Sequence, residues 1–177
     1  MTRTQFEHTV RAAGAVMGVR ELLVIGSQAL HAVVTGVLPA EAERSIEVDV
    51  APLGDKDGQL ADLIDGAIGE ASMFHETFGY YAHGVGEATA VLPDGWQARL
   101  IRHESPGTGG VVAWCLEPHD LWLSKAVAGR EKDLEFCAAL LSRGLVTRET
   151  LVARLASMSS LAPPHRQLVA ARITLGS

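Results

Sequence analysis

The chain has 177 residues, 47% of them hydrophobic and 20% charged, with a net charge of −6, a composition that describes one soluble domain able to bury a core without disulfides or a structural metal. Cys115 and Cys137 lie far apart with no Cys-x-x-Cys pair, which argues against a zinc site or disulfide framework and for a reducing, cytoplasmic setting. No apolar run approaches the roughly 20 residues that span a bilayer, and the polar opening Met1-Thr2-Arg3 has no signal-peptide core. The charge is uneven: the first sixty residues carry 5 basic and 8 acidic side chains, the next sixty 2 and 9, and the remainder 8 and 4. A basic C-terminal third against an acidic middle suits a polyanion drawn toward a carboxylate site better than a general nucleic-acid coat.

In chain order, Phe6, Val10, Ala13 and Met17 recur at helical spacing, and Gly18 stops that helix. Leu22 to Ile25 is an apolar run too short for a helix and reads as a buried strand. Gly26 cuts it, and Ser27 is placed to cap a helix whose apolar face is Ala29, Leu30, Ala32, Val33 and Val34. After a Pro-bearing loop, Ile46, Val48 and Val50 alternate with Ser45, Glu47 and Asp49, the period of a half-buried strand with both carboxylates on one face. Residues 58–70 read as helix, and 71–86, rich in Gly, Tyr and His, fit no single pattern. Residues 88–92, 97–103 and 111–116 read as three short strands of a meander, separated by turns at Pro93-Asp94-Gly95 and Pro106 to Gly110. From Pro118 onward the pattern is helical, over about 118–128, 130–142, 148–157 and 164–173.

Three groups of residues carry chemistry. Gly26-Ser27, at a strand-to-helix turn, offers backbone N–H groups and a hydroxyl to a phosphate. Glu47 and Asp49, two apart on one strand face, are able to hold Mg²⁺ against a triphosphate, although alternating acids on a strand are more often its wet face. Lys125, Arg130 and Asp133 form the third group, within His119 to Asp133. Leu121, Trp122, Lys125 and Ala128 share one helix face, so Lys125 emerges beside apolar neighbours, and Gly129 allows a change of direction that lets Lys125 and Arg130 converge on phosphates. A local Arg130–Asp133 ion pair explains the same spacing. His75, His83 and His103 lack metal-ligand spacing, Trp96, Trp114 and Trp122 read as packing residues, and the Tyr80-Tyr81 pair reads equally as substrate lip or packed loop.

Val24-Ile25-Gly26-Ser27-Gln28-Ala29, Arg44 to Val50, and Lys125 with Arg130 and Asp133 together resemble nucleotidyltransferase-fold proteins related to the AbiEii toxins of toxin–antitoxin and phage-defence systems. The similarity is greater to an uncharacterised branch with a Lys-x3-Gly-Arg-Glu-Lys-Asp motif, and it covers roughly residues 20–140. The resemblance implies an α/β (α+β) fold with a polymerase-β-like core, a mixed sheet flanked by helices, over residues 1–117. A C-terminal helical lobe, 118–177, would pack on that core. It also implies Gly26 and Ser27 as the phosphate turn and Glu47 and Asp49 as the metal-binding acidic pair. Lys125 and Arg130 match the basic motif, Asp133 its closing acid, and Glu104 is the nearest guess for a third carboxylate. Glu47 departs from the usual Asp, lengthening that arm by one C–C bond.

The expectation is therefore an Mg²⁺-dependent enzyme that moves a nucleoside monophosphate from an NTP to a macromolecular acceptor, tRNA or a partner protein such as a cognate antitoxin. Two alternatives stand beside it. One is a non-catalytic module that binds a nucleotide or partner through a degenerate site. The other is a small-molecule nucleotidyltransferase of the antibiotic-modifying type, whose cationic substrate the acidic middle third would attract.

Overall fold

A computed structural model describes residues 1–55 and 57–175. The chain divides into two compact units, residues 1–89 with 100–116 and residues 90–99 with 117–177.

The first unit is built on a mixed five-stranded sheet. Helix α1 (Arg3–Met17) opens it, with Thr2 and Gln5 forming a reciprocal capping box and Gly18 closing the last turn. Strand β1 (Glu21–Val24) follows, then a 3₁₀ helix (Ser27–Ala32), the one-turn helix α2 (Ala40–Glu43) and strand β2 (Glu47–Ala51). Helices α3 (Gln59–Ile68) and α4 (Met73–Phe78) lead to β3 (Tyr81–Gly84), and β4 (Ile101–His103) and β5 (Val112–Cys115) complete the sheet. The strand order is β3-β2-β1-β5-β4. β2 runs antiparallel to β1 and parallel to β3, while β5 runs parallel to β1 and antiparallel to β4. Leu22, Leu23, Val24, Val48, Val50 and Ala82 are all buried, as are Phe6, Val10 and Ala13 of α1. Because α1 and α3 cover one face of the sheet, the alternation along β2 buries its valines and leaves Glu47 and Asp49 half-buried on the other.

The second unit is helical: α5 (Pro118–Ala128), α6 (Glu131–Ser142), α7 (Arg148–Ala156) and α8 (Pro163–Leu175). Leu121, Trp122, Leu123, Phe136, Leu140, Leu151 and Met158 form its core, and the Trp122 indole donates to the Cys137 carbonyl at 2.9 Å. Asp120, fully buried, accepts from Arg99 Nε at 2.8 Å and Nη2 at 3.1 Å, and Arg154 lies 3.0 Å away. Glu117 joins the same network through Arg154 and His119. Burial alone works to raise the Glu117 carboxyl, but His119 and Arg154 outweigh it and hold the group below its usual range. Asp133 is depressed in the same way by Arg130 and Lys125 against its burial. A carboxyl lowered in the folded state stabilises it above the unfolded pKa and loses that contribution as pH falls through the folded one. Thermal unfolding of this unit is therefore expected to shift to lower temperature below about pH 4, the ordinary carboxylate range, and an Asp133→Asn, Glu117→Gln double variant should flatten the acid limb of that profile.

Several local expectations need correction. Gly26 rather than Ser27 occupies the N-cap position, no side-chain cap bond forms, and the helix is a six-residue 3₁₀ segment. Its buried side is Gln28, Ala29, Leu30 and His31, with Val33 exposed. The ambiguous stretch 71–86 resolves into α4 and β3, and part of the Pro-bearing loop into α2. Residues 88–92 are no strand. A 3₁₀ turn covers Glu87–Thr89, and the chain from Ala90 belongs to the helical unit, where Asp94 N donates to the Ser157 carbonyl and Arg99 to the carbonyls of Pro93 and Asp94. Within the expected strand, Thr89 N donates to the Gly86 carbonyl at 3.0 Å, a local turn bond in place of a ladder bond. Of 97–103 only Ile101–His103 is strand, so the expected three-stranded meander is a single antiparallel pair at the sheet edge.

Candidate active site

β2 ends beside the turn that follows β1. Ile25 N donates to the Asp49 carbonyl at 3.2 Å, which brings the Gly26-Ser27 turn against the Asp49 side chain. The approach is so close that a Cβ on Gly26 would lie 1.9 Å from Asp49 Oδ2. Only glycine allows the carboxylate to rest there. Ser27 is half-buried, and its Oγ accepts from Gln28 Nε2 at 3.4 Å.

The parallel β2–β3 register sets Glu47 opposite Tyr81 and Asp49 opposite His83. Each pair meets through its side chains: the Tyr81 hydroxyl donates to Glu47 Oε2 at 3.1 Å, and His83 Nδ1 lies 3.1 Å from Asp49 Oδ1. Burial, reinforced by the Glu47 carboxylate, pushes the Tyr81 phenol up to about 12, so it remains a proton donor that orients Glu47. Glu47, Asp49 and His83 each offer one ligand atom, all within 4.8 Å of one another. An adjoining cleft of about 310 Å³ is lined by Glu47, Asp65, Glu70, Tyr81 and His83. The donor set suits a divalent cation, since two carboxylates supply the oxygens a hard ion prefers and the cleft leaves room for further ligands.

The remaining residues singled out in the sequence belong to other elements. Lys125, Arg130 and Asp133 come together in the helical unit. Asp133 is buried, with Lys125 Nζ at 3.4 Å and Arg130 Nε at 2.6 Å, and Gly129 at φ 67° turns the chain between α5 and α6. Glu104 follows β4, where it pairs with Arg102. That strand lies three places from β2 in the sheet, so Glu104 stands apart from the acidic pair. His83 lies beside the acidic pair. Spacing among the histidines gave no hint of it; the usable signal was Tyr81-x-His83, a period-2 pair like Glu47-x-Asp49.

Because the Tyr81 hydroxyl holds one Glu47 oxygen in place, Tyr81→Phe is expected to weaken divalent-metal binding about 10–100-fold, the usual effect of losing a partner that orients a ligand. Titration calorimetry with Mg²⁺ and Mn²⁺ checks it.

A mixed five-stranded sheet flanked by helices and followed in the chain by C-terminal helices is the fold of a nucleotidyltransferase family. Residues 9–162 match the family described as Nucleotidyltransferase of unknown function (DUF6036), and the chain belongs to that family. No curated protein and no solved structure matches it. Membership implies an NTP as substrate and a divalent metal as its companion. Among the described residues, no helix is long and apolar enough to cross a membrane.

Proposed function

We propose that the chain is an Mg²⁺-dependent nucleotidyltransferase that moves a nucleoside monophosphate from an NTP to a hydroxyl of a macromolecular acceptor, with pyrophosphate leaving. The observation that carries this reading is the contact of Asp49 with the Gly26-Ser27 turn, which sets a metal-binding carboxylate beside backbone donors for phosphate. A divalent ion bound there would polarise the phosphorus and ease deprotonation of the attacking hydroxyl. Glu47 and Asp49 would hold that ion, Tyr81 fixes the Glu47 carboxylate, and Gly26 and Ser27 would offer N–H and hydroxyl groups to phosphate oxygens.

Lys125 and Arg130 supply cations to the triphosphate in this reading, and Asp133 holds both in position. Lys125→Ala is then expected to lower turnover by two to three orders of magnitude, on an estimate of about 2.7–4 kcal/mol for one transition-state contact. Lys132→Ala, at an exposed position, should do little. Wild-type NTP affinity and turnover in both Lys125→Ala and Arg130→Ala would leave the cluster a structural ion pair.

By the resemblance to AbiEii-related proteins, the acceptor is tRNA or a partner protein, and the role is that of a toxin countered by a cognate antitoxin in the cytoplasm. A second reading has its own support. Asp65 and Glu70 line the cleft beyond the metal pair, an environment that repels a polyanion and attracts a cationic small molecule. The deciding experiment supplies labelled NTPs and Mg²⁺ with total RNA, cell extract or an aminoglycoside. Label on RNA or protein supports the first reading, label on the amine-bearing small molecule the second, and NTP binding without any transfer a non-catalytic module.

A further inference from the structure

We infer that His83 is a nitrogen ligand to the ion held by Glu47 and Asp49, and that it makes this site select Mn²⁺ over Mg²⁺; the inference rests on the metal-dependent reading above. The first support is position. His83 reaches the acidic pair because β3 runs parallel to β2 with Asp49 directly opposite it, so both side chains leave the sheet on the same face. Its partner contact is made by Nδ1, 3.1 Å from Asp49 Oδ1.

The second support is the spacing. Ligands about 2.1 Å from an octahedral ion lie about 3.0 Å apart at right angles and about 4.2 Å apart across it. The 3.1 Å nitrogen–oxygen edge fits neighbouring corners of one such sphere, and the Glu47 ligand atom lies within 4.8 Å of both. The side chains of His83 and Asp49 are 47% and 22% exposed, which leaves the remaining corners open to phosphate oxygens and water.

The third support is donor chemistry. Mg²⁺ takes oxygen ligands and gives up water reluctantly, so an imidazole adds little to its binding. Imidazole nitrogen is a favourable ligand for the first-row divalent ions, among which Mn²⁺ also accepts carboxylate and phosphate oxygens. Two carboxylates and one imidazole, facing an NTP, therefore match Mn²⁺ more closely than Mg²⁺. A plain hydrogen bond between His83 and Asp49 on a solvated edge strand explains the 3.1 Å contact equally, but it gives His83 no part in metal binding.

The test uses the full chain without nucleotide. Mn²⁺ affinity is read from the electron paramagnetic resonance of the free ion, Mg²⁺ affinity by competition, and nitrogen ligation by electron spin-echo modulation with isotopically labelled histidine. The wild type should bind Mn²⁺ more tightly than Mg²⁺ and show a histidine nitrogen coupled to Mn²⁺. His83→Ala should lose that coupling, and His83→Asp, which restores an oxygen ligand, should bring the two affinities together. Mn²⁺ bound in an Asp49-dependent way but without histidine coupling, or an unchanged Mn²⁺/Mg²⁺ ratio in His83→Asp, overturns the inference and leaves the metal-dependent reading standing. Failure of the wild type to bind either ion, or full binding by Asp49→Ala, overturns both.

Discussion

Replacing Asp49 with alanine is expected to abolish nucleotide transfer while the protein stays folded. Asp49 is the residue on which the site converges: its carboxylate rests against Gly26, its Oδ1 meets His83, and it belongs to the metal-capable set with Glu47. A metal positioned there supplies several kcal/mol of transition-state stabilisation, and each 1.36 kcal/mol is tenfold in rate, so turnover should fall by about a thousandfold or more. The fold has little to lose. The His83–Asp49 pair is partly exposed, a class of contact worth about 0–1 kcal/mol, and removing one of two neighbouring carboxylates relieves their repulsion. Steady-state turnover together with a thermal melt separates the two effects: a melt close to wild type with transfer gone is the expected pair of results.

The second large effect falls on stability. Asp120 is fully buried, held by a two-bond contact with Arg99 and a further one with Arg154. Asp120→Ala leaves the Arg99 and Arg154 guanidinium groups facing an emptied, water-poor site, and removing one partner of a buried ion pair costs about 3–5 kcal/mol. Asp120→Asn should cost less, because the amide oxygen still accepts one hydrogen bond. Chemical denaturation followed by the fluorescence of Trp122, buried in the same unit, measures the difference, and a change within about 0.5 kcal/mol would place Asp120 among ordinary surface sites.

Legibility in the sequence followed the range of the forces involved. β2 was readable because one face of it is buried: the period of Ile46, Val48 and Val50 fixes which way Glu47 and Asp49 point. Ile46 lies one residue before the strand and is 47% exposed, so the period marks the face better than the boundary. β1 was readable as a short apolar run. The helices from Pro118 onward announced themselves through caps and breaks, with Gly129 and the Gly144 turn among them.

What stayed hidden depended on partners distant in the chain. β3 is four residues of Tyr, Ala, His and Gly, too short for its Tyr81-x-His83 alternation to mark a strand by itself. Its pairing with β2 spans 34 residues, and that pairing alone carries His83 to Asp49. The 3₁₀ form of Ser27–Ala32 was equally hidden, since its buried polar members, Gln28 and His31, take their places from packing rather than from a hydrophobic face. Asp94 and Arg99 hold the segment after Thr89 out of the sheet through contacts with Ser157 and Asp120 that no local pattern contains.

Under the proposed function, Glu47 and Asp49 run a metal-dependent nucleotidyl transfer. Its most direct measurement is the incorporation of label from an α-phosphate-labelled NTP by wild-type and Asp49→Ala protein, with Mg²⁺, with Mn²⁺, and with chelator, over the acceptor mixtures named above. Incorporation that requires the metal and disappears in Asp49→Ala is the predicted result. Incorporation that persists in Asp49→Ala, or that proceeds undiminished with chelator, would place the chemistry outside the Glu47–Asp49 site.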